Sequence, residues 1–181
     1  MKVIIVRHGQ TNWNRDNILQ GQKETTLNED GIGEAKILKK ELESKKISKV
    51  YCSPLIRTKQ TCDIILEDKN IEVLYEDGLK ERSYGILEGT KGEKLDLKTE
   101  YWDIDNNNKP TNGESIKEFF ERVHKTYKQI LNENKDEEGN ILLITHSGVV
   151  IAIEIYEKGI TGNTDYFKLG IENCESREYN K

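Results

Sequence analysis

The sequence has little of what staples or anchors many small proteins. Cysteine is scarce, with only Cys52, Cys62 and Cys174. An odd number without Cys-x-x-Cys spacing argues against a disulfide framework or zinc ribbon and for free, mostly buried thiols in a reducing compartment. No apolar run approaches the ~18 residues of a membrane span, and the N-terminal run at 3–6 is too short for a signal peptide. A cytoplasmic location, away from membranes, is expected. Positive charge is not in excess: 28 Lys+Arg against 33 Asp+Glu give a net charge of −5. Nucleic acid is therefore not expected as a partner, and any anion must be held by a local basic cluster. There is no Gly-x-x-x-x-Gly-Lys-Ser/Thr loop, no His-x-x-x-His pair and no Cys/His cluster at ligand spacing. Neither a metal nor a P-loop nucleotide site is expected. No repeat, low-complexity tract or linker divides the 181 residues, so a single domain, 1–181, is expected.

What is present is an alternation of apolar runs and amphipathic segments. The run at 3–6 reads as a buried strand that stops abruptly at Arg7, His8 and Gly9. After Asn28, residues Ile32, Ala35, Leu38 and Leu42 recur at helical spacing, with lysines opposite. A short strand at 49–52 ends at Ser53-Pro54, where a helix is expected to begin with Arg57 in its first turn. A third strand at 71–75 leads into a glycine-rich loop, 76–89, and then a poorly patterned stretch, 91–105. Ser115 opens a long amphipathic helix carrying Phe119, Phe120, Val123, Tyr127 and Ile130 on one face. Residues 141–144 repeat the opening pattern, an apolar strand ending at Thr145-His146-Ser147-Gly148 before another helix. An edge strand at 166–171 and a short final one at 174–179 complete the reading: an α/β fold with a mostly parallel sheet.

Strand ends thus supply Arg7, His8, Arg57 and His146, with Glu81 on the loop after the third strand. Two guanidinium forks and two imidazoles match the equatorial oxygens of a phosphoryl group. Glu76, Asp77 and Glu88 lie in the same loop as Glu81, and residue chemistry alone does not choose among them. The segments Arg7-His8-Gly9-Gln10-Thr11 with Asn14, Ser53-Pro54-Leu55 with Arg57-Thr58, the Glu81 loop and Thr145-His146-Ser147-Gly148 resemble the histidine phosphatase superfamily, also called phosphoglycerate mutase-like. They occur in order over nearly the whole chain.

The resemblance implies a three-layer sandwich with helices on both faces of the central sheet. It implies His8 as a nucleophile forming a phosphohistidine, and Arg7, Arg57 and His146 as stabilisers of the transition-state charge. Glu81, singled out by its place before Arg82-Ser83-Tyr84-Gly85, would protonate the leaving oxygen and later accept a proton from water. Asn14, Gln20, Gly21, Arg82, Tyr84 and Ser147 would contact the substrate. Nucleophilic attack requires a neutral His8, which neighbouring arginines favour by like-charge repulsion. The loop 21–27 carries Glu24 and Thr26 where relatives often have Asp and Pro, a departure that does not touch the nucleophile.

Phosphomonoester hydrolysis without a cofactor is the expected activity. The alternative is a mutase using 2,3-bisphosphoglycerate, because the Glu81 segment partly matches such enzymes. A mutase usually carries a longer, arginine-rich insertion at this point; here the residues between Gly89 and Gly113 include Lys91, Lys94, Lys98 and Lys109 and no arginine. A silent phospho-ligand-binding domain is the third reading, less well supported because His8 and Glu81 are both kept. Trp13, Tyr101 and Trp102 are candidates for substrate contact or for the core. His124 is expected on the surface.

Overall fold

The computed structural model describes residues 1–162 and 164–181. Its centre is a five-stranded sheet built from β1 (Lys2–Arg7), β2 (Ile47–Cys52), β3 (Val73–Tyr75), β4 (Asn140–Thr145) and β5 (Ser176–Asn180), in the order β3-β2-β4-β1-β5. All neighbours are parallel except β5, which runs antiparallel along β1. The central strands β1 and β4 carry unbroken buried apolar runs, at 3–6 and 141–144, because both faces are covered. A short helix α1 (Asn12–Arg15) follows β1, and α2 (Glu29–Glu41) and α3 (Ile56–Leu66) cover one face. There Ala35, Leu38, Cys62 and Ile65 meet Ile4, Val6, Val50 and Ile144. On the other face α4 (Ile116–Glu133) and α5 (Ser147–Lys158) bury Phe119, Val123, Tyr127 and Val150 with Val3, Ile5 and Leu143. Each such fully buried side chain contributes about 1.5–3 kcal/mol relative to exposure. The three-layer sandwich is therefore present.

Local signals set the helix ends. Asn28 accepts from the Gly31 amide at 2.9 Å, capping α2, and Ser115 with Glu118 forms a capping box at α4. Two glycines fix how α2 meets the end of β1. A Cβ on Gly9 would lie 2.6 Å from the Gly31 carbonyl oxygen, and one on Gly31 would lie 2.1 Å from that of Gln10. Both positions are restricted by backbone-to-backbone approach immediately after His8.

Several boundaries differ from the sequence reading. The edge strand expected at 166–171 is a 3-10 turn, Tyr166–Leu169. Tyr166 instead enters an aromatic cluster with Trp102 and Phe120, and the slot beside β1 is filled by β5. The helix expected from Pro54 begins at Ile56, where the N-cap Leu55 has no side-chain acceptor to offer, and the Ser53 hydroxyl is bonded to His146 instead. The third strand is shortened to Val73–Tyr75. The stretch 91–105 holds one 3-10 turn, Gly92–Lys94, and one π turn, Leu97–Tyr101. Ile32, placed on the apolar face of α2 by spacing, is 38% exposed. His124 is half-buried rather than on the surface: it donates from Nε2 to the Ala152 carbonyl and stacks on Phe120.

Candidate active site

The carboxyl ends of β1, β2 and β4 border a cavity of about 270 Å³, the usual ligand position in a sheet of this kind. Arg7 pairs with Thr145 in the β1–β4 register, so His8 and His146 leave neighbouring strands at one level. The two imidazoles meet edge to face with ring centroids 5.2 Å apart. Arg57 arrives from the first turn of α3, and Glu81 from the loop following β3. Arg7, His8, Arg57 and Glu81 line the cavity; His146 is wholly buried against His8.

The hydrogen bonds assign a tautomer to His8. Its Nδ1 lies 2.7 Å from the Gly9 carbonyl oxygen, which can only accept, so Nδ1 carries the proton and Nε2 holds the lone pair. Arg57 Nε donates to that Nε2 at 3.2 Å. The other arms of Arg57 are fixed on the Gly21 and Lys23 carbonyls. Arg7 donates from Nη1 to the Ile171 carbonyl, and its Nε is buried without a hydrogen-bond partner among the described residues. His146 is bonded through Nε2 to Ser53 Oγ at 2.8 Å, and its Nδ1 is likewise buried and unpartnered. Buried, unsatisfied nitrogens of this kind are costly unless a ligand meets them.

Electrostatics favour the neutral imidazoles. Burial, then Arg57 and Arg7, holds His8 well below its ordinary value, and burial, Arg57, His8 and Arg7 do the same to His146. Burial also pulls Arg57 down to about 10, still a cation at neutral pH. The imidazole NMR signals of His8 and His146 are therefore expected to stay in the neutral form as pH falls through 6.5, the ordinary histidine value. Below 6.5 the unfolded chain takes up protons that the folded sites refuse. Stability to urea should be fully present above 6.5 and be lost progressively as pH falls through the lowered folded values. Titration of either signal at or above 6.5 would contradict this.

Of the four acidic candidates in the loop after β3, Glu81 alone lines the cavity. Glu76 accepts from the Gly78 amide, Asp77 pairs with Lys80, and Glu88 accepts from the Gln22 and Tyr84 amides. Glu81 is held at its own carboxylate by the Arg82 amide at 2.8 Å and the Gly148 amide at 3.1 Å. Its backbone carbonyl accepts from Gln22 and Arg122.

The fold, the convergent strand ends and the order of the segments now meet an independent comparison. The family model for the histidine phosphatase superfamily (branch 1) matches residues 3–179. The chain belongs to the histidine phosphatase superfamily. Among curated members, a phosphoglycerate mutase of Schizosaccharomyces pombe is 32% identical over 171 residues, covering 89% of this chain and 81% of its own. A probable phosphatase of the same organism is 32% identical over 168 residues, covering 89% and 77%. Among solved structures, a putative α-ribazole-5′-P phosphatase from Escherichia coli superposes with a TM-score of 0.83 at 25% identity, covering 98% of this chain and 89% of that one.

Within this superfamily framework the substrate-contact expectations divide. Asn14, Gln20, Gly21, Tyr84 and Ser147 line the cavity. The side-chain oxygen of Asn14 accepts from Thr11, and that of Gln20 from Thr11 and Thr25. Their amide nitrogens are thus the groups able to donate to a phosphoryl oxygen. Arg82 must be corrected: it does not line the cavity but is fully buried, with its guanidinium on the Tyr101, Asn108 and Glu114 carbonyls. Trp102 both packs in the core and borders the cavity; Tyr101 contributes only partly buried packing.

Three further residues touch the expected site residues: Ser53 is bonded to His146, and Gln22 and Arg122 donate to the Glu81 carbonyl. Ser53 stood in a recognised segment but read only as a helix start. Arg122 gives no local signal, since the Glu81 carbonyl it meets lies 41 residues away. Asp103 and Asp105, an Asp-x-Asp pair, lie outside the cavity, and Asp103 accepts from the Asp105 and Asn106 amides. Among the described residues no three His, Cys, Asp or Glu side chains cluster as a metal site. Among the described residues no helix is long and apolar enough to cross a membrane.

Proposed function

We propose that this chain hydrolyses a small phosphomonoester through a phosphohistidine on His8, without a metal or organic cofactor. His8 Nε2 attacks phosphorus while Arg57 shifts its donors from that lone pair to the phosphoryl oxygens. The P–O ester bond breaks and Glu81 gives a proton to the leaving oxygen. Water then attacks phosphorus, Glu81 recovers a proton, and inorganic phosphate departs as the P–N bond breaks. Arg7 Nε and His146 Nδ1, the two buried unpartnered nitrogens, are suited to donate to the equatorial oxygens, with the Ser53 hydroxyl donating to His146 Nε2. The N-terminus of α5, where Ser147 and Gly148 border the cavity, adds favourable potential for an anion. The surrounding arginines disfavour a cation at the histidines, and three buried free cysteines accord with a cytoplasmic setting.

The observation that favours a phosphatase over a mutase is the distribution of cations. Arg7 and Arg57 are the cationic side chains bordering the cavity; none of Lys91, Lys94, Lys98 or Lys109 does so. Lys98 is paired with Asp165 and Lys109 with Glu118. A mutase must hold a second phosphate and a carboxylate through its cycle, and little here would retain them. The curated mutase relative keeps the second reading in view. Incubation with 3-phosphoglycerate, with and without 2,3-bisphosphoglycerate, is expected to yield phosphate and no cofactor-stimulated 2-phosphoglycerate. Isomerisation faster than phosphate release would establish the mutase instead.

A further inference from the structure

Beyond the reacting groups, the cavity becomes apolar. Ile18, Leu97, Trp102, Ile151 and Phe167 border it, and the polar ends of its aromatic wall are already used. The Trp102 indole N–H donates to the Tyr84 hydroxyl at 2.7 Å, and burial raises Tyr84 well above the usual phenol value, so it remains neutral. Phe167 stands at the rim, 45% exposed, with its ring centroid 5.3 Å from that of Trp102. It is carried on the 3-10 turn Tyr166–Leu169. That turn is tied to the π turn Leu97–Tyr101 by the Lys98–Asp165 ion pair at 2.9 Å. The two turns present one continuous aromatic wall; Arg7 and Arg57 are the cationic side chains among the described residues that border the cavity, while Arg82 lies over the Tyr84 and Trp102 rings from outside the cavity lining.

Resting on the phosphomonoesterase reading, we propose that the substrate's leaving group is an uncharged alcohol with an apolar, ring-sized body seated against Trp102 and Phe167. A second anionic group on that body would be desolvated beside an apolar wall without a partner, which disfavours phosphorylated hydroxy acids. Size sets the other limit. A cavity of about 270 Å³ lies at the small end of ligand sites, which run from roughly 300 to 1,000 Å³. It accommodates the phosphoryl group and about one ring, not a nucleotide.

Benzyl phosphate, glycerol 1-phosphate and 3-phosphoglycerate all release alkoxides, so their comparison reads mainly the body of the leaving group. The expected order of kcat/KM places benzyl phosphate first by about tenfold or more, the scale of discrimination that an apolar pocket achieves. A preference for either of the other two would overturn the proposal. Phe167→Arg should reverse the ranking toward 3-phosphoglycerate by supplying a cation. A binding measurement separates this inference from the activity on which it rests. By calorimetry, benzylphosphonate should bind about tenfold tighter than methylphosphonate, and Phe167→Ala should abolish most of that ratio. An unchanged ratio in the variant, or equal affinities in the parent, refutes the apolar seat. Selective benzylphosphonate binding with no phosphate release from any ester would uphold the seat and remove the phosphatase reading.

Discussion

Replacing His8 with alanine is expected to abolish phosphate release, with kcat lowered on the order of 10⁴- to 10⁶-fold, the range seen when a catalytic nucleophile is removed. The remaining arginines cannot supply the lost bond to phosphorus. His8 is buried, so its loss leaves a small cavity, but it also relieves the core of a desolvated ring beside two guanidinium groups. Folding should survive, and inorganic phosphate should still raise the melting temperature by binding Arg7 and Arg57. Quenching the parent enzyme in alkali during turnover should trap a phosphorylated protein whose label is acid-labile, and His8→Ala should carry none. Undiminished hydrolysis by the variant would eliminate the covalent mechanism.

Glu81→Gln should reveal proton transfer through its dependence on the leaving group. For alkyl phosphates, whose alkoxides depart poorly without a proton, kcat should fall by about 10²- to 10⁴-fold. For para-nitrophenyl phosphate, which releases a stable phenolate, the bond-breaking step should be far less affected, and the residual loss should report activation of water. The two oxygens of Glu81 accept from separate amides, those of Arg82 and Gly148. Glutamine offers one oxygen, so one amide loses its acceptor at a cost of about 1–3 kcal/mol. Melting curves should therefore accompany the kinetics. An equal loss on both substrate types would assign Glu81 a positioning role instead.

Apart from Glu81, the residues expected at the site are legible because each sits beside a strong local signal. Arg7, His8 and His146 follow apolar strands, and Arg57 follows Ser53-Pro54, so strand ends located them before any geometry was known. Glu81 was separable from Glu76, Asp77 and Glu88 by resemblance alone; the structure supplies a physical reason, since those three carboxylates are occupied by a turn, a lysine and two backbone amides. The specificity wall was not legible. Phe167 reads as part of an edge strand at 166–171, yet it sits on a 3-10 turn joined to the π turn by an ion pair across 67 residues, Lys98 to Asp165. Arg82 failed for a related reason. An arginine beside a catalytic acid invites a role at the ligand, but the carbonyls that claim it lie 19, 26 and 32 residues away.

That burial of Arg82 ties chemistry to selectivity. One guanidinium, on the residue next to Glu81, is bonded to the Tyr101 carbonyl, beside Trp102, and to that of Glu114 at the entrance to α4. Lengthening or replacing the segment that forms the aromatic wall would pull on the same anchor that positions Glu81. New substrate ranges should then be easier to evolve at exposed Phe167, which stands clear of that anchor, than by exchanging the whole wall. Descendants that did replace the wall would be expected to carry a compensating change at Arg82 or at the carbonyls it holds.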